Sequence, residues 1–195
     1  VNTPLSETAD ADLARLARAG QQAAYAQLMQ RHRDPVFRLV RSHVGNDDDA
    51  LDMVQDSFVA AFAAIDRYDG SRPFRHWINR IALNKCRDWG RRRAVRRFFS
   101  FALPIEAADG VADQDVIGEG AVDDARALRA TIKALASLPS GLKEPLILTA
   151  VDGLSQAEAA AVLGISEKAV EVRVYRARKA LQALLPEGDT VDAKL

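Results

Sequence analysis

Residues 154–181, LSQAEAAAVLGISEKAVEVRVYRARKAL, leave the chain little freedom of fold, because they spell out two helices and the turn that joins them. Ser155 followed by Glu158 forms a capping box at the start of a short apolar-periodic helix. Gly164 supplies the left-handed residue that stops it, and Ser166 is placed to cap a second helix beginning at Glu167. Helices joined so tightly must cross steeply, as in a helix-turn-helix. Along the second one, Val170, Val174, Ala177, Leu181 and Leu184 recur at helical spacing and are expected to bury.

Lys168, Glu171, Val172, Tyr175, Arg176 and Lys179 fall on or near the opposite side of that helix. A helix presented in this way fits the major groove of a duplex. Its cations reach phosphates and guanine edges, while a tyrosine or valine packs on sugar or a thymine methyl. The competing reading is a helical hairpin with a merely solvated charged face, and only the rest of the chain separates the two.

With 195 residues and 48% hydrophobic content, the chain has enough apolar surface for one sizeable core or two small ones. No membrane-spanning run or secretory signal is evident, so a soluble, cytoplasmic protein without membrane insertion is expected. The single Cys86 excludes an internal disulfide framework. His32, His43 and His76 are scattered, without zinc-ligand spacing, and are expected in exposed or half-buried structural roles. No metal or cofactor is implied. Neither a nucleophile elbow, a glycine-rich phosphate loop nor a persuasive carboxylate pair is present, which points away from an enzyme. The run Asp47 to Asp49 sits at a helix start, where the macrodipole accounts for it.

A formal net charge of zero argues at first against a nucleic-acid partner, but its distribution reverses that impression. Residues 1–97 carry 17 Lys+Arg against 12 Asp+Glu, residues 98–125 carry none against 7, and residues 126–195 carry 10 against 8. Local patches, not the total, set the field that a phosphate meets. The acidic middle segment 98–125 contains Pro104, Gly110, Gly118 and Gly120 and has no sustained period, so it reads as a flexible linker. Phe98, Phe99 and Phe101 at its start are awkward for a free linker and are expected to pack on the preceding helix or on a partner.

Ahead of the linker the pattern is helical throughout. Residues 24–44 place Tyr25, Leu28, Met29, Val36, Phe37, Leu39 and Val40 on an apolar face, with Pro35 as the expected kink or break. Residues 47–65 put Ala50, Leu51, Val54, Phe58, Ala61, Phe62 and Ile65 on one stripe. A loop over 69–73 leads to a third helix over 74–93, with Phe74, Trp77, Ile78, Ile81, Ala82 and Trp89 facing inward. The fold class expected is therefore all-α: a three- to four-helix bundle, an acidic linker, and a four-helix domain carrying the helix-turn-helix. The corresponding divisions are a tail or short helix over 1–19, domains over 20–97 and 126–186, the linker 98–125 and a tail over 187–195.

On the third helix Asn84, Arg87 and Arg91 share one face, and Arg92, Arg93, Arg96 and Arg97 extend the positive charge. An asparagine among arginines suits base-edge hydrogen bonding as well as phosphate contact. A solvated helix end favourable to the macrodipole would carry the same residues.

Two blocks in order, DPVFRLVRSHVGNDDDALDMVQDSFVAAFAAIDRYDGSRPFRHWINRIALNKCRDWGRRR and LPSGLKEPLILTAVDGLSQAEAAAVLGISEKAVEVRVYRARKAL, separated by an acidic stretch, resemble the extracytoplasmic-function sigma factors of the sigma-70 family. The similarity covers about residues 20–97 and 126–186, and the two motifs together are specific where a lone helix-turn-helix is not. The resemblance implies an alternative sigma factor that binds core RNA polymerase, recognises a −35 element as duplex, melts a −10 element, and answers to an anti-sigma factor in a stress response. It implies polymerase contact through Asp52, Gln55 and Asp56, and −10 contact through Ser71, Arg72, Arg80, Asn84, Lys85, Arg87 and Arg91. For the −35 element it implies Lys168, Glu171, Val172, Arg173, Tyr175, Arg176 and Lys179, with Arg178 as a further backbone contact.

One departure stands out. Members of the family often carry a basic residue and a small hydroxyl where this chain has Glu171 and Val172. A glutamate accepts from cytosine N4 or rejects other bases, so no −35 preference transfers. Two elements about 70 Å apart, or two duplex turns, lie within the reach of about 90 Å of such a linker fully extended. In the free chain a flexible linker of that length averages about 30 Å, which allows the domains to collapse on one another and hide their DNA faces. Two other readings remain at this level: a stand-alone duplex-binding regulator, for which no dimerisation helix is evident, and a sigma-like decoy for an anti-sigma protein, against which the retained Asn84, Arg87, Arg173 and Arg176 argue.

Overall fold

The computed structural model describes residues 4–102 and 119–185. Eight α-helices make up the described chain: α1 (Asp10–Arg18), α2 (Gln22–Val44), α3 (Asp47–Ala63), α4 (Phe74–Ala102), α5 (Glu119–Ser137), α6 (Ser140–Leu146), α7 (Gln156–Leu163) and α8 (Glu167–Leu184). A 3₁₀ turn over Ile65–Arg67 follows α3, and a π-helical turn over Ile147–Val151 follows α6. No strand occurs among the described residues, and the all-α expectation holds.

In the first half, α2 is the central element, packed by α1, α3 and α4. Leu28, Val36, Leu39 and Val40 of α2, Val54 and Phe58 of α3, and Phe74 and Ile78 of α4 close the core. Helix α1 is tied down by ions. Arg31 of α2 donates to the carbonyls of Leu5, Ser6 and Thr8 at 2.6–3.0 Å and pairs with Asp10 at 2.8 Å. His32 Nε2 meets the other Asp10 oxygen at 2.8 Å. His32 and His43 are thus buried rather than exposed or half-buried as expected, because each ring has a carboxylate from another element to meet it. His76 is half-buried.

Several local expectations change. Helix α2 runs through Pro35 without a break, since buried residues on both sides of the proline hold it against its neighbours. Met29 and Leu51 are exposed, and α3 instead buries Met53 and Ser57, whose hydroxyl is satisfied by the Met53 carbonyl at 2.5 Å. Helix α4 does not stop near Arg93. With neither glycine nor proline between Arg91 and Ala102, it continues to Ala102, so the start of the expected linker is helical, and α5 begins at Glu119. Residues 103–118 of that linker lie outside the described residues, as do the side chains of Phe99 and Phe101; Phe98 is 76% exposed and so has not been buried against α4.

In the second half α8 packs on α6 and α7, burying Val170 and Ala177 with Val174 and Leu181 partly covered. Leu184 is exposed, contrary to the expected stripe, because it lies in the last turn of α8. Pro145 removes one backbone donor within α6, and the chain relaxes into the π turn before Gly153, at φ 70°, redirects it toward α7. This irregular turn places Asp152 where a regular helix would not.

The difference between α3's two faces can be measured. Phe58→Ala is expected to cost about 3–5 kcal/mol of stability, whereas Leu51→Ala is expected to stay within about 0.5 kcal/mol. Urea unfolding followed by circular dichroism separates the two.

Candidate nucleic-acid interface

The helix-turn-helix is built by its caps. Ser155 Oγ accepts from the Glu158 N–H at 3.2 Å while the Ser155 N–H donates to Glu158 at 2.8 Å, completing the capping box. The Ser155 N–H foremost, and then the Ser155 hydroxyl, which donates to Glu158 Oε2 at 2.7 Å, hold the Glu158 carboxyl below its usual range. Gly164 ends α7 at φ 68°, and Ser166 Oγ accepts from the Ala169 N–H at 3.2 Å to start α8. With α8 so placed, Lys168, Glu171, Val172, Tyr175, Arg176 and Lys179 are exposed and Arg173 is half-buried. Lys168 donates to Glu171 at 2.8 Å, so the carboxylate at the family departure is neutralised by a lysine on the surface of the helix.

The second basic face lies on α4 and on the loop before it. Asp69 accepts from the Ser71 N–H at 3.0 Å, and the Tyr68 hydroxyl donates to the Arg72 carbonyl at 2.6 Å, which shapes the loop and leaves Ser71 and Arg72 exposed. Arg80, Asn84 and Arg91 are exposed and Lys85 is half-buried. Arg91 pairs with Asp88, and Arg93 stacks over the Trp89 ring at 5.1 Å.

Arg87 differs from its neighbours. It donates to Asn84 Oδ1 at 3.1 Å, but its main partner is Glu144 of α6, which receives Nε at 2.7 Å and also Nη2. The Glu144 side chain is only 4% exposed. His43, at the end of α2, sets Nε2 3.5 Å from the same carboxylate. Lys143 Nζ caps two helix ends at once, donating to the His43 carbonyl at 2.8 Å and the Ala136 carbonyl at 2.7 Å. A second cluster repeats the theme. Asp152 accepts from Arg75 at 2.5 Å and from Asn79 Nδ2 at 2.6 Å. His76 lies 3.5 Å from Glu158. The two halves of the chain therefore meet along α2 and α4, where a seam of buried carboxylates and their partners is set into an apolar core that both halves share. Close by, α2 and α5 leave no room: a Cβ at Gly45 would lie 2.9 Å from that of Ala136.

Burial alone would push the Glu144 carboxyl up, but hydrogen bonds from Arg87 and then His43 outweigh it and hold the group below its usual range. Burial pushes His43 down despite the opposing pull of Glu144, with Lys143 and Arg87 adding to the fall. Buried Cys86 sits nearby with its thiol pushed up to about 12, chiefly by desolvation.

On α3, Asp52, Gln55 and Asp56 are exposed together and are flanked by the exposed Leu51 and Val59. That outward face stands opposite the one through which α3 packs on α2 and α4.

These features have counterparts in known proteins. Residues 28–97 match the Sigma-70 region 2 family and residues 128–181 match Sigma-70, region 4. The chain is 46% identical to the RNA polymerase sigma factor CnrH of Cupriavidus metallidurans over 92% of its own length and 95% of that protein. The extracytoplasmic-function sigma factor SigE of Mycolicibacterium smegmatis is 33% identical over 90% of this chain and 68% of its own. The chain belongs to the extracytoplasmic-function sigma factors. Among solved structures, that of CnrH in complex with the cytosolic domain of CnrY superposes with a TM-score of 0.68 over 93% of this chain and 99% of the other, at 40% identity. The co-crystal structure of RpoE with the anti-sigma factor NepR from Bartonella quintana gives 0.63 over 82% and 95%, at 26% identity.

Four residues of this sigma factor's seam, Glu144, Asp152, Asn79 and Lys143, escape a reading of the sequence alone. Asn79 gives no signal, and that of the other three is charge beside an apolar run, in KEPLILTAVDGL, where a soluble helix has no reason to hold it. Among the described residues no cluster suits a metal ion, and no helix is long and apolar enough to cross a membrane.

The seam's pH dependence follows from these shifts. His43, lowered from 6.5, binds a proton more readily once unfolded, so its contribution is lost as pH falls below about 6.5, by at most about 1.4 kcal/mol per pH unit. Glu144, lowered from 4.5, adds a further loss at more acid pH, as pH falls through its depressed value. Urea midpoints are expected to drop between pH 7 and pH 5.5, and His43→Gln is expected to flatten that drop.

Proposed function

We propose that this sigma factor binds core RNA polymerase in the cytoplasm and directs promoter-specific initiation. In this reading α8 grips a −35 duplex through Lys168, Glu171, Val172, Arg173, Tyr175, Arg176 and Lys179. Helix α4 and its loop open the −10 element through Ser71, Arg72, Arg80, Asn84, Lys85, Arg87 and Arg91. The observation that carries the proposal is the presence of two separate basic helix faces, one in each family-matched half of the chain. A duplex needs one helix in its groove, whereas strand opening needs a surface that returns the lost stacking energy of a few kcal/mol per extruded base. That energy comes from binding.

Docking on polymerase falls to Asp52, Gln55 and Asp56. Their carboxylates stand on a face bordered by apolar Leu51 and Val59, the composition of an interface that is steered by charge and held by burial. CnrH and RpoE have been crystallised or solved with CnrY and with the anti-sigma factor NepR, and an anti-sigma partner tied to a stress response is the corresponding proposal for this chain.

The test is in vitro transcription of sheared host genomic DNA with purified core enzyme and mapping of transcript 5′ ends. The parent is expected to yield starts preceded by two spaced shared motifs. Arg176→Ala is expected to lose about 1–3 kcal/mol of −35 affinity, about tenfold or more, and to relax the upstream motif. Asn84→Ala is expected to abolish opening, read by permanganate reactivity, with −35 duplex binding intact. Asp52→Arg with Asp56→Arg is expected to weaken capture of core enzyme in a pull-down. No promoter-dependent transcript from the parent would leave the decoy reading in its place.

A further inference from the structure

Arg75, Asn79, Leu83 and Arg87 stand four residues apart along α4, on a stripe beside the exposed Arg80, Asn84 and Arg91. Together the two stripes would make one broad polar band. The second half of the chain divides it, because Glu144 takes Arg87 and Asp152 takes Arg75 and Asn79. Both carboxylates are almost wholly desolvated, with side chains 4% and 2% exposed.

We infer that Glu144 and Asp152 are nucleic-acid mimics that hold the single-strand face of α4 in an incomplete state, while the duplex-reading face of α8 stays open. This rests on the reading of α4 given above and adds Arg75 and Asn79 to its contacts. The chemistry of each pair supports it. A forked guanidinium–carboxylate contact such as Arg87 with Glu144 is the geometry in which arginine also binds phosphate. Asn79 gives only its amide hydrogen to Asp152, and its Oδ1 is buried without a partner. A base edge offers a donor and an acceptor side by side and would use both.

Arg75 Nε and His43 Nδ1 are likewise buried and unpaired. Three unmet polar atoms in one seam mark an arrangement that a better-matched partner can displace, since buried polar groups are nearly always paired. Meanwhile Lys168, Tyr175, Arg176 and Lys179 of α8 face solvent in the same closed chain. The free protein is therefore competent for duplex and handicapped for single strand.

Two variants of the full chain test this. Glu144→Gln with Asp152→Asn removes the mimicking charges. Gly45→Ala leaves every charge in place and presses α5 away from the end of α2, because a Cβ at Gly45 would lie 2.9 Å from that of Ala136. Spin labels on Val59→Cys and Gln182→Cys report the separation of the halves, while buried Cys86, its thiol pushed up to about 12, stays unlabelled. Circular dichroism confirms that helix content is kept.

Both variants are expected to lengthen the label distance and to bind a mixed-sequence 12-nucleotide single strand about tenfold more tightly than the parent, equivalent to about 1.4 kcal/mol. The salt slope for that strand is expected to steepen by about 1.4, for two added phosphate contacts at about 0.7 each. Affinity for a mixed-sequence 30-base-pair duplex is expected to stay within about twofold, since the α8 face is unchanged. Longer distances with unchanged single-strand affinity would overturn the mimicry, and so would unchanged distances in both variants. A gain confined to the charge variant would also overturn it, since added net charge alone would explain that result. Failure of the parent in core-dependent transcription would instead sink the proposed function and leave the distance result standing.

Discussion

The buried carboxylate of Glu144 is the constraint around which the two halves of this chain are arranged. It is reached by Arg87 from α4 and His43 from α2, with Lys143 beside it in sequence bound to the ends of α2 and α5. Taking such charges out of water is costly, and the cost is met only when each has its opposite and its hydrogen bonds. Removing one partner from a buried pair costs about 3–5 kcal/mol, whereas a well-packed apolar replacement of the whole cluster is often neutral. An ionic seam is thus a poor way to gain stability and a good way to make contact conditional, because any competitor that offers matching charge can replace one side of it.

Apolar packing surrounds that conditional contact and runs through both halves as one core. Within each half, helices meet through buried aliphatic and aromatic side chains: Leu28, Val36, Leu39, Phe58, Phe74 and Ile78 in one, Ile147, Leu148, Val162 and Val170 in the other. Such packing is non-directional and survives changes of salt and pH that alter ion pairs. Of the two kinds of contact, the ionic one is directional and is the one that a charged competitor can address. A helix that begins in the core of the first half and ends as an exposed basic rod suits this, since α4 carries core, seam and solvent-facing stripes on one continuous element.

The irregular stretch between α6 and α7 has a comparable role. Pro145 and the π turn that follows shift the helical register and bring Asp152 round to face Arg75 and Asn79. Insertions of this kind are common where a helix carries function rather than mere packing. Here the turn converts an apolar run into the support for one desolvated carboxylate.

Residue chemistry read along the chain is enough for the helices, their caps and the helix-turn-helix, because these depend on neighbours within four positions. The capping box at Ser155 and Glu158 and the left-handed Gly164 stand as their sequence implies. The exposed basic residues of α8 and of α4 were legible for the same reason, as was the two-block resemblance to the sigma factors. Tertiary structure alone decided the fate of Arg87, which has the same local surroundings as Arg80 or Arg91 yet is held by a residue 57 positions away. It also decided that α2 continues through Pro35, that His32 and His43 are buried, and that Leu51 faces outward beside Asp52 and Asp56. The physical reason is common to all of these. Propensity and periodicity act over one or two turns of helix, whereas desolvation and charge pairing depend on what the remainder of the chain brings into contact.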